Sequence, residues 1–190
     1  MTLAEATAAL ETQFGASILQ KTEFRGEITL VFNAETTKPA LQFAKEILGF
    51  DFLTDISSVD NFGDEPRFEV VYELYSLTDH THLRIKRTVS EDDLSVETIS
   101  DLWPTADWHE REIYDMMGLK FAGHPDLRRI LMWDGYPFFP LRKDFPLAGR
   151  PSAMPDIAFT KAAPLAGGPF VTSPSTATSK DREPRSKEIK

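Results

Sequence analysis

Arg67–Val89 reads RFEVVYELYSLTDHTHLRIKRTV, and its alternation decides the fold. Phe68, Val70, Tyr72 and Leu74 alternate with Arg67, Glu69 and Glu73; Leu83, Ile85 and Val89 alternate with Arg84, Lys86 and Thr88. A period of two sends successive side chains to opposite faces, so each run is a strand with one apolar and one polar face. The link Ser76–Thr81 (SLTDHT) is short and polar, which makes the pair a hairpin. One face of such a sheet meets water and the other needs cover.

The cover lies upstream. Thr2 and Glu5 make a capping box, Leu3, Ala6, Leu10 and Phe14 follow at helical spacing, and Gly15 ends the helix. A second helix runs from about Lys38 to Leu48, with Pro39 in its first turn and Gly49 as its stop. Phe24, Ile28, Leu30 and Phe32 alternate with Arg25, Glu27 and Thr29 as one half-buried strand, and Phe52–Val59 is another. The expected fold is α+β: a two-layer domain over residues 1–118, mainly antiparallel sheet with helices on one face.

The second half changes character. Residues 101–147 hold all three tryptophans, Trp103, Trp108 and Trp133. One helix is predicted from Ala106 to Met117, with Thr105 as cap and Gly118 as terminator. The chain that follows has no period, and Pro and Gly recur in it. A long structureless stretch argues for something outside the domain to lie on, so 119–149 is expected to be a partner-docking ribbon. Residues 150–190 carry six of the 13 prolines and a net charge of +3, against −12 for residues 1–149. That tail is expected to be extended and disordered alone, and residues 119–190 to order only on a partner.

Composition removes several chemistries. A formal net charge of −9 argues against non-specific nucleic-acid binding. Absence of cysteine rules out thiolate-held zinc or iron–sulfur clusters and a thiol nucleophile. No run reaches the about 20 apolar residues of a membrane helix, and the N-terminus reads as neither signal nor transit peptide. Membrane association is therefore expected only through partners.

Few motifs point to catalysis. His80 and His82 form an H-x-H pair, but in a turn and without a spaced third ligand. His109, Glu110 and Glu112, near Asp115, suggest a general-base cluster; the bland reading pairs Arg111 with Asp115 at i,i+4 on an exposed face, with His109 at its boundary. Gly118 and Gly123 have the spacing of a phosphate loop but lead into His124-Pro125. Ser173, Ser175 and Ser179 lack a nucleophile elbow. Two charge clusters remain, Asp126, Arg128 and Arg129, then Arg142, Lys143 and Asp144. Both are flanked by bulky apolar residues, as interface anchors are.

These residues carry a resemblance. Trp108–Leu131 (WHEREIYDMMGLKFAGHPDLRRIL) with Pro140–Leu147 (PLRKDFPL) resembles the signature of the 30-kilodalton, or C, subunit family of proton-translocating NADH–quinone oxidoreductase, respiratory complex I. Leu53–Asp60 (LTDISSVD), Arg67–Leu77 (RFEVVYELYSL) and Asp101–Trp108 (DLWPTADW) are similar too, so the likeness spans about residues 25–150. One position departs: Phe139 stands where the family has histidine in G-H-P-L-R-K-D.

The resemblance implies a non-catalytic structural subunit of the peripheral arm, on the cytoplasmic side of the bacterial inner membrane. It would bind no cofactor itself, with FMN and iron–sulfur clusters carried elsewhere in the complex. Its implied partners are the hydrogenase-like large subunit and the subunit with the terminal iron–sulfur cluster. Glu110, Arg111, Glu112 and Asp115 on the helix are expected at the partner interface. So are His124, Asp126, Arg128 and Arg129, and beyond them Arg142, Lys143 and Asp144. The competing memberships are a membrane-bound hydrogenase or a ferredoxin- or F420-linked complex. A stand-alone hydrolase or lyase using His109 and Glu112 is the competitor of a different class.

Overall fold

The computed structural model describes residues 1–146 and the backbone of two short strands beyond them, Ile157–Ala158 and Lys161–Ala162. The rest of the predicted tail lies outside the described residues. The chain divides into two compact units, Met1–Asp134 and Gly135–Lys190.

In the first unit, helix α1 (Leu3–Phe14) starts on the predicted capping box: the Glu5 N–H donates to the Thr2 hydroxyl at 3.3 Å and the Thr2 N–H to the Glu5 carboxylate at 2.8 Å. A short 3-10 turn leads into strands β1 (Ile18–Phe24) and β2 (Glu27–Phe32). The single strand expected over 24–32 is thus corrected. Arg25 and Gly26 both take positive φ, 54° and 83°, and reverse the chain between two strands. Helix α2 (Thr37–Glu46) crosses from β2 to β3 (Phe52–Asp60) at the far edge. The hairpin β4 (Phe68–Ser76) and β5 (Thr81–Val89) follows as predicted.

The sheet order is β1-β2-β5-β4-β3, antiparallel except for the parallel pair β2 and β5. The register sets Leu74 opposite Leu83, Tyr72 opposite Ile85 and Phe68 opposite Val89. These six are buried in one cluster with Ala6 and Leu10 of α1 and Ala40, Leu41 and Ala44 of α2. The other face carries cross-strand ion pairs, Glu69 with Lys86 at 2.9 Å and Arg84 with Glu73 and Glu27.

Two further elements were not predicted. Strand β6 (Ser95–Glu97) pairs in parallel with β7 (Lys120–Ala122), on either side of helix α3 (Ala106–Met117). Leu119 and Phe121 are consequently core residues, 0% and 3% exposed. The chain through Asp134 groups with the first unit. Thr105 stands before α3, but its side chain makes no capping bond.

Within the second unit the Tyr136 and Phe138 rings meet edge-on at 5.6 Å, and Phe138 meets Phe145 at 6.0 Å. The Arg142 guanidinium lies 4.6 Å from the Phe139 ring centre. Strands β8 (Ile157–Ala158) and β9 (Lys161–Ala162) pair antiparallel, where no strand was expected.

Candidate functional site

Helix α3 organises the site. It ends because Gly118 adopts the left-handed conformation (φ 80°) while its N–H caps the Tyr114 carbonyl at 3.0 Å. Ala106, Glu110, Ile113 and Met117, at i, i+4, i+7 and i+11, are buried on one side. Arg111 and Asp115 are also buried, whereas Trp108 and Glu112 face outward. The exposed Arg111–Asp115 pair is corrected: no ion pair joins them, because the chain at 128–132 runs over both.

Asp115 is the anchor of that segment. One carboxylate oxygen accepts the N–H groups of Ile130, Leu131 and Met132 at 3.0, 2.7 and 2.7 Å. The other accepts from Arg129 Nη1 at 2.5 Å, and the same nitrogen donates to the Asp115 carbonyl at 2.9 Å. Burial pushes the Asp115 carboxyl up, but the Met132 N–H, Arg129, and the Leu131 and Ile130 N–H groups together outweigh it and hold the carboxyl below its usual value. A side chain wholly withdrawn from water thereby stays ionised and fixes three consecutive amides.

Glu110 and His124 form a second buried joint. Glu110 accepts the Ile99 N–H at 2.7 Å and the Thr98 hydroxyl at 2.5 Å. Burial raises its carboxyl above the usual range, against these two bonds and the neighbouring His124. His124 Nδ1 faces the Asp126 N–H at 3.0 Å, which can only donate, so Nε2 carries the ring proton and donates to the Asp107 carbonyl at 3.1 Å. Nε2 stands 3.9 Å from Glu110 and 3.8 Å from the Asp107 carboxylate. Link 98–100, helix α3 and turn 123–126 are tied together here.

The remaining predicted residues divide by exposure. Arg128 pairs with Asp126 at 2.9 Å on the open surface. Arg111 donates to the Arg128 and Arg129 carbonyls at 3.3 and 3.4 Å, and its guanidinium lies 5.3 Å from the Trp108 ring centre. Glu112 is exposed. His109 meets Asp55 of β3 at 3.1 Å, and no hydrogen bond joins it to Glu112. Arg142, Lys143 and Asp144 belong to the second unit, the first half-buried and the other two exposed. In the β4–β5 turn, His80 Nδ1 meets the Tyr75 hydroxyl at 3.0 Å, and the ring of His82, at the start of β5, lies 4.5 Å from the Tyr75 ring at a tilt of 45°.

Among the described residues no group of three or more His, Cys, Asp or Glu side chains is placed to hold a metal. None of their helices is long and apolar enough to cross a membrane. One buried cluster escaped sequence reasoning. Arg67 makes two bonds to Asp60, 2.8 and 2.9 Å, and a third to Glu91 at 2.6 Å, and its guanidinium lies 4.8 Å from the centres of both the Phe62 and the Phe68 rings. Its only signal was an acid and a base flanking one turn.

Comparison with known proteins matches residues 30–151 to the family described as "Respiratory-chain NADH dehydrogenase, 30 Kd subunit". The NADH-quinone oxidoreductase C subunit of Geobacter sulfurreducens is 48% identical over 145 residues, 76% of this chain and 90% of that protein. Its counterpart in Geotalea uraniireducens is 46% identical over 144 residues, 76% and 88% of the two chains. The C 2 subunit of the Rhizobium meliloti enzyme is 42% identical over 172 residues, 90% of each. Among solved structures, the trypsin-resistant fragment 1–134 of Nqo5 superposes with a TM-score of 0.60 at 32% identity, covering 67% of this chain and all of that one. A chain of the membrane-bound sulfane sulfur reductase, an archaeal respiratory membrane complex, gives 0.65 at 23% identity over 76% and 85%, a likeness of fold alone.

Proposed function

The chain belongs to the family of the 30 kDa subunit of respiratory-chain NADH dehydrogenase, and from that premise we propose that it is a non-catalytic, structural and assembly subunit of the peripheral arm of NADH-quinone oxidoreductase. The observation that carries this is the match to C subunits of that enzyme at 42–48% identity over about nine-tenths of their length. The complex it serves passes electrons from NADH to quinone and couples that transfer to proton translocation. FMN and the iron–sulfur clusters of that pathway belong to other subunits; the cysteine-free chain supplies no thiolate for a cluster.

Its partners in this reading are the hydrogenase-like large subunit and the subunit with the terminal iron–sulfur cluster. They hold it peripherally at the cytoplasmic side of the bacterial inner membrane. The site residues then have two duties. Glu110, Asp115, His124 and Arg129 hold the chain after α3 in one shape from inside. Arg111, Glu112, Asp126 and Arg128, with Arg142, Lys143 and Asp144 of the second unit, meet the partner. Trypsin resistance of the Nqo5 fragment supports treating the first unit as a body that folds by itself.

The test is purification of the tagged full chain from its own membranes under native conditions. Subunits that oxidise NADH and carry iron–sulfur clusters are expected with it, and deletion of the chain should abolish assembled NADH:quinone activity. Recovery of the chain alone, or with a nickel-binding large subunit and no NADH-oxidising subunit, would refute the reading.

A further inference from the structure

Two arginines of the described chain are buried, Arg67 at 3% and Arg111 at 8% exposure, and they differ in one respect. Arg67 has its acids, Asp60 and Glu91. Arg111 has none among the described residues. The carboxylate one turn along its helix, Asp115, is taken by Arg129 and three backbone amides. Two carbonyl bonds at 3.3 and 3.4 Å are all that Arg111 makes, both beyond the usual range of about 2.7–3.2 Å. A guanidinium cannot shed its charge, and burying it without an anion is costly.

Nη1 of Arg111 makes no hydrogen bond. The Arg87 Nε is the one side-chain nitrogen among the described residues that is both sealed from solvent and unbonded, so Nη1 opens to the surface. The guanidinium lies against the Trp108 ring, which is 62% exposed. The carbonyls it reaches are those of Arg128 and Arg129, three and two positions before Leu131, which is 58% exposed. The free hydrogens, two on Nη1 and one on Nη2, form an end-on fork of the kind a carboxylate matches.

We infer that the Arg111 fork seats an Asp or Glu side chain of a partner subunit, presented beside an apolar residue that covers Trp108 and Leu131. The inference rests on the proposed membership of an assembled complex and names the chemistry of one contact within it. A small free anion fits less well, because it would leave two large apolar side chains in water, whereas a protein segment covers them and supplies the charge together. Seating the carboxylate also relieves the uncompensated charge, so the contact is strong only when both parts are present.

The test uses the full chain in its assembled complex, with the photoreactive residue p-benzoylphenylalanine incorporated at position 108. The expected crosslink is to another subunit, on a segment carrying Asp or Glu within two residues of the attachment point. Crosslinks confined to this chain or a second copy of it, or to a segment without an acid, would overturn the inference. Arg111→Met supplies an independent arm, since it keeps the packed stem and removes the charge. The isolated full-length variant should melt at the wild-type temperature or above, while assembled complex falls by about tenfold or more. A drop in melting temperature that accounts for the assembly loss would assign Arg111 a purely internal role and refute the proposal. If instead the unsubstituted chain fails to co-purify with NADH-oxidising subunits, the proposed function falls first, and the contact with it.

Discussion

Asp115→Asn is the sharpest perturbation the structure offers, because it changes one atom at a wholly buried point. The amide oxygen can keep the Ile130, Leu131 and Met132 N–H groups, but the amide nitrogen then confronts Arg129 Nη1, now 2.5 Å from the carboxylate oxygen. Breaking a buried ion pair from one side costs about 3–5 kcal/mol. The retained amide bonds become neutral pairs, worth about 0.5–1.5 kcal/mol each against about 1.5–3 for charged ones. Arg129 is only 12% exposed, which leaves it little room to swing into water. We expect a loss of about 3 kcal/mol for asparagine, and about 4–5 for alanine, which also strands the three amides. The assay is chemical denaturation of the isolated full chain at pH 7, paired with hydrogen exchange at residues 130–132. An asparagine variant within about 0.5 kcal/mol of wild type, the error of such comparisons, with amides 130–132 still protected, would refute the claim that this carboxylate holds the segment. The pH dependence gives a second reading. Asp115 sits below its usual value in the folded chain, so its contribution is full above the unfolded pKa and is lost as pH falls through the folded one. The wild-type advantage over Asp115→Asn should therefore be flat at neutral pH and shrink only under acid.

Glu110 should behave in the opposite sense: its carboxyl is raised, so its contribution is full below the unfolded pKa and is lost as pH rises through the folded one. The stability of wild type relative to Glu110→Gln, followed by urea denaturation across pH 4 to 8, should decline with rising pH, and a constant difference would contradict that assignment. Arg67→Met leaves the buried Asp60 carboxylate without its guanidinium and should cost about 3–5 kcal/mol, part of it recovered in the double variant with Asp60→Asn; denaturation of the single and double variants measures both. Gly118→Ala forces a Cβ into φ 80° and should cost about 1–2 kcal/mol, read as a lowered melting temperature with secondary structure unchanged by circular dichroism.

The fold was legible wherever a period ran long enough to be counted. Residues 68–74 and 83–89 alternate over four and three apolar positions, and they form β4 and β5 in the register their pattern requires. Thr2 and Glu5 announced α1 because a capping box is local chemistry. The failures were short or long-range. Between Phe24 and Phe32 the alternation continues across Arg25 and Gly26, so two strands passed for one. The β1 half exposes six of its seven residues and carries no burial signal of its own. Strands β6 and β7 are three residues each, and their parallel pairing joins Val96 to Phe121 across the whole of α3. No period in either could have shown that, since the information lies in which segment meets which.

The same limit governed the site. The helix 106–117 and the run 124–131 meet through Asp115, Arg129, Glu110 and His124. Their roles were not readable, because the i,i+4 rule assigned Arg111 to Asp115 and knew nothing of a segment fourteen residues on. That segment wins on number: Arg111, four residues before Asp115, offers one guanidinium, whereas 129–132 brings a guanidinium and three amides converging on the same carboxylate. A buried acid goes to the set of donors that satisfies most of its lone pairs, since each unmet donor or acceptor in the interior costs more than a surface pair contributes. The consequence falls on Arg111. Displaced from its helical neighbour, it lies under the chain at 128–129 with its charge uncompensated and one nitrogen open beside Trp108. An arginine left in that state by its own fold is where a second chain has most to offer.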